Sequence, residues 1–278
     1  RAQYDELDKY PVMPPHAFAR IVRDKQTLNI IYQIIEPPLT KKEQEQRDEI
    51  MDIFIRSLTA NIEEIDSNPE AYVRTAMDKV IKSYSMKINK KSKSKLFYYL
   101  RRDLIGYGKM DVLMNDVNVE DISLDGTNVP IFAYHRKFES VETTCVWPTD
   151  EELESYVIKL AQRCGKHISV AEPLLDATLM DGSRIVMKLG HEISTRGSAF
   201  CIRRFKDDPF SPADIVAFRT MSSLMVAYLW IAFQNEVPML FVGGTASGKT
   251  TTLNAMCIFI PWQMKIVSIE STREVNIP

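Results

Sequence analysis

The sequence predicts an α/β protein in two parts, and three observations carry that expectation. Residues 239–242 (MLFV) form a short apolar run, followed by a glycine loop and then a helical pattern, the order strand, loop, helix. Residues 106–205 alternate short strand patterns with turns around one amphipathic helix, the texture of an α+β domain. Residues 40–104 carry apolar stripes at helical spacing. The chain of 278 residues suffices for about two domains. Hydrophobic content of 45% and charged content of 26% are those of an ordinary globular protein, and a net charge of −2 exerts no global pull toward nucleic acid or an acidic membrane. Cys145, Cys164, Cys201 and Cys257 are scattered without a C-x-x-C pair, so the sequence offers no zinc motif and no disulfide framework. No apolar run reaches the ~18 uncharged residues of a membrane span, and no signal peptide is visible.

The glycine loop at 243–250 (GGTASGKT) fits G-x-x-x-x-G-K-[ST], the phosphate-binding loop. From average residue frequencies the bare pattern arises by chance in roughly one percent of chains of this length, and the flanking strand and helix patterns lower that further. Gly243 and Gly248 allow backbone angles and close approaches that other residues do not. Backbone N–H groups then converge on phosphate oxygens, helped by the positive end of the following helix. Gly243, Gly244, Thr245, Ala246, Ser247, Gly248, Lys249, Thr250 and Thr251 are the expected nucleotide-binding residues. Lys249 reaches the outer phosphates and Thr250 offers its hydroxyl to Mg²⁺, so the expected ligands are a nucleoside triphosphate and Mg²⁺.

In chain order, Pro11, Pro14, Pro15, Pro37 and Pro38 punctuate the first residues, with one strand predicted at 28–35. Thr40 and Glu43 form a capping box opening a helix whose apolar face is Ile50, Ile53, Phe54, Leu58, Ile62 and Ile65. Asn68-Pro69 opens a second helix, with Val73, Ala76, Met77, Val80, Ile81 and Tyr84 as its buried stripe. Five lysines at 87–95 read as a solvated inter-helix loop rather than a nucleic-acid patch, since no aromatic lies among them. A third helix follows at 96–104, with Gly106 at its C-terminal cap. Residues 129–134 and 140–146 read as a strand pair. Thr149 to Glu152 caps a helix that turns Leu153, Tyr156, Val157 and Leu160 inward and ends before Gly165. A turn at 180–183 feeds strands at 184–189 and 198–205. Residues 206–212 are charges followed by prolines, the clearest linker. The stretch 221–233 is helical and apolar nearly all round, which predicts a buried helix. A second strand is predicted at 264–269, and acidic residues collect at its carboxyl end, Glu270 and Glu274, where they can order a metal-bound or attacking water.

Several short motifs occur in a fixed order: GYGKMDVLM at 106–114, VEDISLDG at 119–126, YHR at 134–136, DGSR at 181–184, STRG at 194–197, IRRF at 202–205, then the phosphate loop. Together they resemble the type II/type IV secretion ATPase superfamily from about residue 28 to the end, with the archaeal branch of archaellum motor and archaeal pilus or secretion ATPases the nearest in pattern. The resemblance implies a helical segment and an α+β, PAS-like domain before a linker, then the start of a RecA-like P-loop NTPase domain, with divisions at 1–105, 106–205, 206–220 and 221–278. It implies a homo-hexameric ring at the cytoplasmic face of a membrane, a polytopic membrane platform protein as partner, and no nucleic acid. It implies ATP hydrolysis that drives filament assembly, filament rotation or protein secretion. The arginine of the Gly-Ser-Arg turn corresponds to Arg184, and that of the strand before the linker to Arg203 or Arg204. Neighbours on a strand face opposite sides, so at most one of that pair meets the nucleotide, and Arg203 is favoured. With Lys249, Glu270 and Glu274, Arg184 and Arg203 complete the implied catalytic set. The position after Glu270, usually aspartate in the family, is Ser271. Its hydroxyl can bond water but carries no charge. The Walker B acids and the histidine box of the family are expected beyond Pro278, so the stretch reads as a fragment cut at both ends that binds nucleotide weakly and turns over almost none. A DNA-handling RecA-like ATPase is the alternative reading. A small-molecule kinase or GTPase is a third.

Overall fold

A computed structural model describes residues 3–57, 68–205, 209–244, 247–270 and 275. By their contacts these form two units, residues 1–175 with 186–203, and residues 176–185 with 204–278. The architecture is mixed α/β, with one large sheet and helices.

The first unit starts with a hairpin that the prolines conceal in the sequence. Strand β1 (Tyr4–Met13) pairs antiparallel with β2 (Ala17–Asp24), which pairs antiparallel with β3 (Ile30–Ile35). Pro11 is tolerated because β1 is an edge strand, and Pro14 and Pro15 make the turn. The buried side of β2 is Ala17, Ala19 and Ile21, two of them too small to register as a strand pattern. At the next turn the Asp24 carboxylate accepts from the N–H groups of Gln26 (2.7 Å) and Thr27 (3.2 Å), so the expected strand at 28–35 starts two residues late.

Among the described residues three helices follow: α1 (Lys41–Ser57), α2 (Pro69–Ser83) and α3 (Lys90–Leu104). Their starts are set by local chemistry. The Thr40 N–H donates to Glu43 (2.8 Å) while the Glu43 N–H donates to the Thr40 hydroxyl (3.3 Å). Asn68 accepts from the Ala71 N–H, and Asn89 from the Ser92 N–H. Ile50, Phe54, Val73, Met77, Val80, Leu96 and Leu100 form their shared core. Leu58, Ile62 and Ile65 lie outside the described residues. Tyr84, expected in the buried stripe, is 58% exposed, because it caps the end of α2. The lysine run is not a loop: from Lys90 it forms the first turns of α3, since lysine is a good helix former and Asn89 supplies the cap. Gly106 follows α3, and its N–H donates to the Arg101 carbonyl (2.9 Å).

Glu43 is buried where α1 meets α3, accepting from Ser92 Oγ (2.7 Å) and lying 3.5 Å from Lys95 Nζ. The Thr40 N–H, then Ser92, hold its carboxyl down at about 2. A depressed folded-state pKa stabilises the fold above the unfolded value of about 4.3, and that contribution fades as pH falls toward about 2. Glu43→Gln is therefore expected to lower Tm at pH 7 and to match the parent near pH 2. Melting curves across that range check it, and a Tm difference independent of pH would contradict it.

A short 3₁₀ turn (Gly108–Met110) and α4 (Asp111–Asn115) lead into β4 (Val119–Asp125), β5 (Pro130–His135), β6 (Glu139–Val146), α5 (Asp150–Arg163), β7 (Leu174–Thr178), β8 (Arg184–Lys188) and β9 (Ala199–Arg203). The sheet order is β1-β2-β3-β6-β5-β4-β9-β8-β7. The expected pair at 129–146 is β5 with β6, antiparallel. Strands β1, β2, β4 and β7 were not predicted. The parallel pairing of β3 with β6, Ile31 opposite Glu142, ties the opening hairpin to the central strands. A buried polar knot does the same through side chains. The hydroxyls of Tyr10 and Tyr32 both donate to Asp116 Oδ2, at 2.6 and 2.7 Å. His135 Nδ1 accepts from the Lys137 N–H (3.1 Å), which leaves its Nε2 to donate to Tyr10 (2.9 Å). Burial raises the pKa of both tyrosines and lowers that of His135, so all three stay neutral around the carboxylate.

In the second unit, α6 (Pro212–Ala217) begins inside the expected 206–220 linker. Ser211 and Asp214 form a full capping box with Pro212 in the first turn. Residues 206–208 lie outside the described residues. Helix α7 (Ser223–Gln234) and α8 (Lys249–Cys257) follow. Ile215, Val226, Ala255 and Met256 form this unit's core. Two expectations fail here. Helix α7 is not buried: Leu224 is 81% and Tyr228 73% exposed, since one narrow stripe is enough to meet α6 and α8. Residues 239–242 and 264–269 are not paired strands, because neither has a ladder partner among the described residues. Leu240, Val242 and Ile269 are exposed there.

Candidate functional site

The site builds on the start of α8. Gly248 occupies the N-cap position with φ +84°, a left-handed backbone in which a side chain is strained. It contributes no side chain to cap the helix, so the positive end of α8 faces the loop. Gly243 serves a close approach instead, because a Cβ there would stand 2.4 Å from Ser247 Oγ. Ser247 Oγ (2.9 Å) and Lys249 Nζ (2.5 Å) both donate to the Gly244 carbonyl. Gly243, Gly244, Ser247, Gly248 and Lys249 are thus brought together, and Thr250 (half-buried) and Thr251 (exposed) stand in the first turn of α8. Thr245 and Ala246 lie outside the described residues. The Lys249 ammonium, a helix N-terminus and the glycines at 243, 244 and 248 form a cradle for an oxyanion.

Glu270 is half-buried and accepts from the Val275 N–H at 2.9 Å. Ser271 and Glu274 lie outside the described residues. Arg184 belongs to the same unit as the loop, while Arg203 belongs to the other. Arg184 stands just after the 180–183 turn, where Asp181 accepts from the Ser183 N–H (3.1 Å) and hydroxyl (2.9 Å). Its guanidinium meets both oxygens of Asp176, Nη2 at 2.6 Å and Nε at 3.2 Å. Arg203 lies on the exposed side of β9 with Cys201, and its Nε donates to Asp121 at 3.3 Å. Asp176 and Asp121, the acids that hold the two arginines, were missed in the sequence. Asp121 comes opposite Arg203 only through the β4–β9 register. Both pairs are partly exposed, and such pairs contribute about 0–1 kcal/mol. A more highly charged anion can replace them. No group of three or more His, Cys, Asp or Glu could hold a metal ion among the described residues, and no helix there is long and apolar enough to cross a membrane.

The model of the Type II/IV secretion system protein family matches residues 140–278. An uncharacterized protein of Methanocaldococcus jannaschii is 33% identical over 274 residues, 97% of this chain and 48% of the relative. A second from the same organism is 41% identical over 164 residues, 59% of this chain and 65% of the relative. The chain thus spans about half the length of the first relative and less than two thirds of the second. Among solved structures, the VirB11 ATPase of the Brucella suis type IV secretion system, in complex with sulphate, is 21% identical with a TM-score of 0.34, covering 61% of this chain and 56% of that one. The Legionella pneumophila ATPase DotB is 16% identical with a TM-score of 0.31, covering 52% and 40%. The chain belongs to the Type II/IV secretion system protein family.

Proposed function

We propose that the chain is the nucleotide-binding part of an ATP-hydrolysing motor that drives assembly or rotation of an extracellular filament, or protein secretion, from a hexameric ring against a membrane platform protein. The reading places the protein in the cytoplasm at the inner face of the membrane. The observation that supports it most is the left-handed Gly248 at the start of α8, with Lys249 turned onto the Gly244 carbonyl. Among the described residues nothing stands within 4 Å of where a Cβ on Gly244 or Gly248 would lie, which suits phosphates lying against bare backbone.

Bound ATP with Mg²⁺ supplies a phosphoryl group whose transfer to water releases the energy of the motor. The loop residues would hold the phosphates through backbone N–H groups. Lys249 would exchange the Gly244 carbonyl for an outer phosphate oxygen, and the Thr250 hydroxyl would hold the metal. Glu270 and Glu274 would order water. Arg184 and Arg203 would leave Asp176 and Asp121 to balance the developing charge. Nucleotide binding and release would turn into motion around 206–212.

Arg184→Ala is expected to lower turnover of the full-length protein about a hundredfold or more, as loss of a transition-state arginine does, with melting unchanged. Unaltered turnover would remove Arg184 from the catalytic set. The assembly is tested by light scattering of the full-length protein during ATP turnover. A hexamer is expected, and a monomer both with and without nucleotide would overturn the ring and favour a kinase or GTPase module.

A further inference from the structure

A cleft of about 620 Å³ opens in the first unit, between the Pro14–Pro15 turn and helices α2 and α3. Binding pockets commonly enclose about 300–1,000 Å³. Its walls carry four basic side chains, Arg74, Lys90, Lys93 and Arg101, against two acids, Glu70 and Asp78. Both acids are engaged. Glu70 lies 3.8 Å from Arg74 and 3.6 Å from Arg101, and Asp78 lies 2.7 Å from Lys93. Arg101 also lies 3.4 Å from the buried Asp111, so four basic groups face three acids and the cleft keeps a positive excess.

The placement of these lysines works against helix stability. Lys90 and Lys93 stand in the opening turns of α3, whose first turn holds no acidic residue, and the positive end of a helix disfavours cations. A helix tuned for stability alone would carry acids there. The cleft is also apolar within: Met13, Met77 and Phe97 line it. The Arg74 guanidinium lies over the Phe97 ring, 4.2 Å from its centroid. That stack holds the fork flat and leaves its N–H edge able to donate to a carboxylate.

We propose that this cleft docks an acidic peptide segment of a partner protein. One apolar side chain of the segment packs on the half-buried Met13 and Phe97, and flanking carboxylates pair with Arg74, Lys90 and Lys93. The concave shape and the half-buried Met13 favour a peptide, because methionine adapts to irregular side chains. A nucleic-acid backbone or an anionic bilayer would use the charges and not the recessed apolar surface.

The test is fluorescence anisotropy of the protein with a fluorescein-labelled peptide of glutamates flanking one phenylalanine. Saturable binding that weakens with salt is expected. Lys90→Glu and, separately, replacement of the peptide's phenylalanine by serine should each weaken it by about fivefold or more. Lys90→Glu puts an acid where the helix end favours one, so this variant is expected to melt no lower than the parent. No binding at low salt, or binding unchanged by Lys90→Glu, would overturn the proposal. So would single-stranded DNA or anionic vesicles that bind equally and are equally weakened by Lys90→Glu, if the serine peptide binds as well as the phenylalanine one.

Discussion

Replacing Lys249 by alanine in the full-length protein is expected to lower ATP turnover by about 100- to 1,000-fold, the usual loss when a preorganised charge-stabilising donor is removed from a phosphoryl or acyl transfer site. The fold should survive. Among the described residues Lys249 Nζ bonds a single carbonyl, that of the exposed Gly244, and one such bond contributes about 0.5–1.5 kcal/mol. Steady-state hydrolysis beside a melting curve separates the two effects. Undiminished turnover in a folded variant would remove the lysine from the mechanism.

Gly126→Ala is the change expected to damage the fold most, by about 3 kcal/mol or more. Gly126 has φ +113°, a conformation that a side chain resists, and an added Cβ would stand 2.4 Å from the Arg196 carbonyl oxygen. Backbone cannot swing aside as a side chain can. The neighbouring Thr127 N–H donates to that same carbonyl at 3.3 Å, so relaxation would also loosen the joint between β4 and the 194–197 loop. Urea unfolding of the two proteins measures the difference. A loss below about 1 kcal/mol would show that the loop moves aside freely.

That joint brings two of the ordered motifs, 119–126 and 194–197, into contact. The sequence exposes the glycine but not its neighbour, because the contact spans about seventy residues of chain and depends on sheet register. The same limit hid Asp121 and Asp176 beside the arginines. What could be read was local. Thr40, Asn68 and Thr149 announce helix starts through side chains that reach three residues ahead, and the glycines with Lys249 announce the cradle through backbone geometry. Hydrophobic pattern was legible in a narrower sense. Helix α7 and the runs at 239–242 and 264–269 are apolar enough to be buried, but pattern states what a segment can bury and not which partner covers it. The first hairpin failed for the opposite reason: alanines and prolines weakened the signal of strands that the register of β2 with β3 defines.

The account rests on the cradle at α8 holding nucleotide. The most direct measurement is calorimetric titration of ATP into the full-length protein, with and without Mg²⁺, beside Lys249→Ala. Saturable, Mg²⁺-strengthened binding that the variant loses is the expected result. Equal binding by the variant, or none by the parent at millimolar ATP, would contradict the account.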